Sequence, residues 1–143
     1  MRWIWLLCRV AFGAVFVYAG AEKMFHADAF AGIIFNYQVL PARLVQGAAL
    51  VLPAVEVVCG LALCANALVR GAAVVLNGML LVFMAALGSA MARGLNVSCG
   101  CFGGPGETVT RETLIRDAVI LALGFIALWG AFAERRKGRP ELF

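Results

Sequence analysis

The sequence predicts an all-α integral membrane protein, a single domain formed by a bundle of four transmembrane helices. Three observations point there. Of the 143 residues, 64% are hydrophobic and only 14% are charged, whereas soluble domains carry roughly 25% charged residues. The apolar residues fall into four stretches close to the ~20 residues that a helix needs to cross the hydrocarbon. The basic residues gather at the ends of those stretches, and the net charge of +4 owes most to Arg135, Arg136, Lys137 and Arg139 beyond the last one. That placement suits anchoring at a cytoplasmic membrane face and argues against a nucleic-acid partner. A chain of 15.2 kDa is too small to hide so much apolar surface inside a water-soluble particle, so lipid is its expected solvent.

The first helix is expected over 3–21. Arg2 before the apolar run and Ala19-Gly20-Ala21 after it resemble a signal peptide, but Arg9 interrupts the run, so retention as a first span is the expectation. The loop 22–43 alternates aromatic and small residues (Phe25, Phe30, Phe35, Tyr37) and ends at Pro41, the pattern of a helix lying at the membrane interface. A second span is expected over 44–65, and the short connection 66–70 reads as a tight hairpin to a third span over 71–92. The loop 93–113 contains Gly103-Gly104-Pro105-Gly106, which can continue neither a helix nor a regular strand. The last span is expected over 114–133, with Thr110 as its N-cap and Glu112 placed favourably in the field of the helix dipole. Four spans leave both termini on one side. Arg2, Arg70 and the four C-terminal bases then oppose Lys23, Arg43, Arg93, Arg111 and Arg116, and the compact C-terminal cluster assigns the termini to the cytoplasm and both long loops to the outside.

The chemistry is expected in the second outer loop, where Cys99 and Cys101 flank Gly100. A disulfide across one intervening residue departs from relaxed geometry, which makes it labile and oxidising, and Gly100 relieves part of that strain. Arg93, Arg111 and Arg116 surround the loop, and positive charge favours the reactive thiolate. Glu22 and Lys23 close helix one on the same side, with His26, Tyr37, Arg43 and Asp117, so Glu22, Lys23, Arg111 and Arg116 form a supporting rim. The competing reading is two reduced cysteines in a tight turn or a static bridge. Cys8, Cys59 and Cys64 fall in the other half of the bundle and read as small buried hydrophobes.

Within the membrane, Arg9 and Glu56 lie at similar depth from the inner end of helices one and two, counted at about 1.5 Å per residue. Ionisable residues there are costly and are paired or functional, which predicts an Arg9 to Glu56 contact with Asn77 as a further partner. Pro53, one turn before Glu56, is expected to kink its helix and make room for a ligand. Small-residue spacing from Gly13 to Gly20 and from Gly60 to Ala67 suits close helix packing, either within a chain or between chains.

The pattern resembles the DoxX-like membrane proteins, and more closely their MauE branch, named for a protein needed in maturation of methylamine dehydrogenase. The residues that carry the resemblance are Gly20 and Lys23, then Phe30, Asn36, Tyr37 and Pro41, then Pro53 and Glu56 in the second helix. Arg93, Gly94, the run Cys99-Gly100-Cys101-Phe102-Gly103, and Arg116-Asp117 complete it. The resemblance implies a multi-pass protein of the bacterial inner membrane with an architecture similar to DsbB and vitamin K epoxide reductase. It implies redox handling of thiols outside the cytoplasm with a thioredoxin-like partner, and leaves quinone as a candidate cofactor. The chain departs from those two enzymes in having Cys-Gly-Cys where they use two intervening residues, and in lacking a second cysteine pair in its other outer loop.

The leading functional reading is therefore a membrane thiol:disulfide oxidoreductase, with Cys99 and Cys101 as attacking and resolving thiols. Two other classes compete. A soft ion such as Cu(I) would use the same cysteines with His26 or Met91, although a closed site wants more ligands than this pair supplies. A non-catalytic scaffold for maturation of a partner enzyme would not need the cysteines.

Overall fold

The computed structural model describes residues 2–95 and 111–136. These residues build five helices in the order α1 (Arg2–Phe25), α2 (Ala27–Asn36), α3 (Ala42–Cys64), α4 (Val69–Ala92) and α5 (Arg111–Arg136). Four of them, all but α2, are long and apolar enough to cross a membrane. Each runs a few residues past its expected start or end. In α1 the extension to Phe25 carries Glu22 and Lys23 into the helix, where Lys23 turns inward to a partner.

The four long helices form a ring in which α1 packs on α3 and α5, and α4 packs on α3 and α5. Small residues set the closest approaches. A Cβ on Gly60 would lie 2.7 Å from the Gly13 carbonyl oxygen, and one on Gly20 would lie 2.8 Å from that of Pro53. The small-residue stripes are thus used within the chain, between α1 and the antiparallel α3. On the other side of α1, Gly124 of α5 lies against the ring of Phe12 and Gly130 against Trp5. The core between the helices holds Phe12, Leu63, Leu76 and Ile120, while Trp3, Val82 and Trp129 stand out into the surroundings.

The chain breaks obey simple backbone rules. At the end of α3, Asn66 adopts φ 60°, and the Asn66 and Ala67 amides donate back to the Leu63 and Ala62 carbonyls, which closes the helix in a Schellman turn. Leu68 comes next at φ 47° and α4 begins at once, so the expected tight hairpin is present. Gly94, at φ 68°, ends α4 in the same way, with Leu95 donating to the Ala90 carbonyl. Pro41, extended at φ −62° and ψ 143°, separates α2 from α3. Pro53, by contrast, interrupts nothing: α3 runs through it without a break, with Pro53 buried against Gly20.

A helix does form in the first long loop, α2, and it packs onto the bundle. Its Phe30 and Ile34 pack with Val45 and Ala49 of α3, and its Ile33 packs with Leu87 and Ala90 of α4. The Arg93 guanidinium donates to the Tyr37 carbonyl at 2.7 Å, tying the end of α4 to the end of α2. One end of the bundle is thereby roofed.

Candidate functional site

Beneath that roof, Lys23 Nζ donates to both carboxylate oxygens of Glu56 at 2.8 Å. Only 9% of Lys23 and 7% of Glu56 is exposed. The pairing arises from helix geometry. Gly20 lies against Glu56 Cβ, so Lys23 stands about one turn nearer the roof than Glu56. Side chains lean toward the N-terminus of their own helix, and in antiparallel helices the two lean toward each other and close that gap. The Phe30 ring centroid lies 5.4 Å from the same Nζ, within cation–π range.

The expected contact between Arg9 and Glu56 is not formed. Arg9 donates instead to Asn66 Oδ1 at 2.6 Å, and Glu56 is taken by Lys23. The same lean explains the correction: Arg9 points down α1, away from Glu56 and toward the turn between α3 and α4. On this register Arg9 and Glu56 are about ten residues apart along the axis, about 15 Å. Asn77 joins neither pair; it is buried and its amide nitrogen donates to the Ala73 carbonyl at 2.7 Å.

The ion pair borders a cavity of about 470 Å³, within the ~300–1,000 Å³ usual for small-molecule sites. Its walls are almost entirely apolar, with Phe16, Phe30, Phe83 and Ile120 prominent, and its polar lining includes Lys23, Glu56 and Asp117. The sequence suggests an outer-rim position for Asp117, but the structure puts it inside, 1% exposed, with its Oδ1 3.5 Å from Arg116 Nε. Arg111 remains exposed on the rim. Glu22 pairs loosely with His26, 3.9 Å away on the next turn. Among the described residues no group of three His, Cys, Asp or Glu side chains gathers as a metal site.

Cys99 and Cys101 lie outside the described residues, as does Thr110. The described residues that flank them are Leu95, three residues beyond α4, and Arg111, the first of α5, and the α4 end is the one tied to α2. Cys8, Cys59 and Cys64 are free. None of the three is fully buried as expected: Cys8 and Cys59 are half-buried, and Cys64 is exposed at the edge of the α1–α3 contact, its Sγ beside Gly13 and directed at the Val10 carbonyl.

Sequence reasoning missed the pairing of Lys23 with Glu56 and the inward position of Asp117. The first was accessible from the Gly13, Gly20 and Gly60 stripes, which fix the register of α1 on α3. The second left no pattern to read, since an acidic residue next to Arg116 near a helix start looks like a surface feature.

Comparison with known proteins agrees with the membrane architecture. No solved structure matches the chain. A methylamine utilization protein MauE of Paracoccus denitrificans is 36% identical over 129 residues, covering 89% of this chain and 69% of that protein. Another of the same name, from Methylophilus methylotrophus, is 32% identical over 114 residues, covering 79% of this chain and 60% of that protein. The family model for the methylamine utilisation protein MauE matches residues 1–130, and the chain, a multi-pass membrane protein, belongs to the MauE family.

Proposed function

We propose that this protein is a membrane accessory of methylamine utilisation that supports maturation of a partner enzyme, methylamine dehydrogenase, without itself turning over a small substrate. The observation that carries this reading is the family match over residues 1–130, which takes in the Lys23 and Glu56 pair, the cavity and the segment bearing Cys99 and Cys101. The proposal includes a bacterial inner-membrane location, cytoplasmic termini, the wider DoxX-like kinship and the DsbB-like arrangement of helices.

A second reading rests on where the cysteines are tethered. Their segment is held at Leu95 and Arg111, beside Arg93 and Arg116, and these bases would favour a thiolate. In that reading one thiolate attacks a disulfide of an extracytoplasmic thioredoxin-like partner and releases a partner thiolate. The second cysteine then resolves the mixed disulfide, leaving Cys99 and Cys101 oxidised and the partner reduced by two electrons; the reverse sequence oxidises the partner.

The test is complementation of a methylotroph that lacks this protein, reading the amount of mature methylamine dehydrogenase. Wild-type chain restores it, and a deletion without effect on the enzyme overturns the accessory role. The Cys99→Ser, Cys101→Ser double variant separates the two readings: full complementation supports the scaffold, and loss of mature enzyme with normal membrane levels of the variant supports thiol exchange.

A further inference from the structure

The ammonium of Lys23 has three N–H bonds, and its hydrogen-bond acceptors among the described residues are the two oxygens of Glu56. The third hydrogen belongs to a side chain more than nine-tenths buried that lines the cavity. A buried charged donor without an acceptor is expensive, and apart from Asp117 and Tyr37 the remaining walls are almost entirely hydrocarbon and aromatic surface. The Phe30 face at 5.4 Å compensates weakly. A guest that brought one acceptor oxygen on an apolar body would satisfy the donor and fill the space together.

The way in is from the side. Val39, after α2, and Val82, on α4, both border the cavity while standing 57% and 70% exposed, so its rim lies on the lipid-facing surface close to the roofed end of the bundle. A molecule dissolved in the bilayer can reach Lys23 through that rim without crossing water.

We infer that the cavity binds a membrane-soluble molecule whose carbonyl oxygen accepts a hydrogen bond from Lys23 while its apolar body lies along Phe83 and Ala86. Glu56 fixes the ammonium in place and neutralises its charge, so the cavity selects a neutral acceptor over an anion. A lipid-soluble quinone and the ester carbonyl of a phospholipid share this chemistry. The inference rests on the cavity alone and survives failure of the maturation reading, since binding is measured on purified protein.

The experiment uses the full chain in nanodiscs and a decyl-substituted benzoquinone as probe, with decylbenzene as the analogue lacking carbonyls. Saturable binding of about one quinone per chain is expected. Ala86→Phe, which fills the cavity, should weaken both probes. The apolar double variant Lys23→Met, Glu56→Leu should weaken the quinone at least tenfold, about 1.4 kcal/mol, and leave decylbenzene unchanged. Nanodiscs of ester-linked and ether-linked phospholipid separate the sources. Equal affinity in both identifies free quinone as the guest, and binding that strengthens in ether lipid shows that lipid esters compete for Lys23. Absence of saturable quinone binding in ether lipid, or binding indifferent to both variants, overturns the inference. Should the double variant fail to fold, the infrared carbonyl stretch of a carbon-13-labelled quinone on the wild-type chain decides: a lowered frequency is expected, and an unshifted band refutes the contact.

Discussion

Lys23 of α1 and Glu56 of α3 share a two-pronged ion pair, both contacts at 2.8 Å, and it locks the two helices that pack most extensively on each other. Glu56→Ala should therefore cost about 3–5 kcal/mol, since it leaves a buried ammonium uncompensated. The double variant Lys23→Met, Glu56→Leu should come within about 1 kcal/mol of wild type or exceed it, because hydrophobic residues of similar volume often replace a buried pair without loss. Thermal unfolding in detergent micelles checks both; equal losses in the two variants would show that the pair itself contributes most of the stability.

The glycines divide into two groups. Gly60 has no room for a side chain, with the Gly13 carbonyl and Val17 within 2.8 Å of an added Cβ, so Gly60→Ala should destabilise by about 1–3 kcal/mol through overpacking. Gly47 lies on the same helix with nothing within 4 Å, and Gly47→Ala should stabilise by about 0.5–1 kcal/mol through the lower chain entropy of alanine. Opposite signs in unfolding measurements are the expected outcome.

Arg9 and Asn66 should be energetically coupled. The hydrogen bond of 2.6 Å joins a charged donor to a neutral acceptor, and a double-mutant cycle with Arg9→Met and Asn66→Ala should give a coupling of about 1–2 kcal/mol. The parallel cycle between Arg9 and Glu56 should give a value near zero.

Leu68 holds the left-handed conformation, φ 47° and ψ 35°, while exposing 62% of its surface. Leu68→Gly should therefore stabilise the turn by about 1 kcal/mol, the usual cost of that conformation for a residue bearing a Cβ. A lower midpoint in Leu68→Gly would reveal a contact of the leucine side chain that outweighs the strain.

The four spans were legible because the bilayer demands continuous apolar length, a property that any window of the sequence displays. Tyr37 and Pro41 announced an ordered element between the first two spans, and α2 is there. What the sequence hid was rotation and register. Depth counted from the helix ends made Arg9 and Glu56 neighbours, whereas the axial lean of each side chain sends Arg9 to Asn66 and brings Lys23 to Glu56. Asp117 was hidden for another reason: its burial depends on α1 and α4 packing against α5, contacts made by residues distant in the chain. Family membership was legible in the motifs from Gly20 to Asp117. The chemistry of Cys99 and Cys101 stands on the sequence alone.

Synthesis runs from α1 onward, which gives the two buried bases of that helix a history. Lys23 is made 33 residues before its carboxylate and Arg9 57 residues before its amide. A lone Arg well inside a span disfavours insertion by up to about 2.5–3.5 kcal/mol, so α1 enters the bilayer with Arg9 poorly satisfied and is completed only once α3 and its closing turn have been made. Glu56 and Asn66 thus act as late acceptors that commit an early helix. The two contacts thereby tie the fate of α1 in the bilayer to that of α3, with α2 made between them.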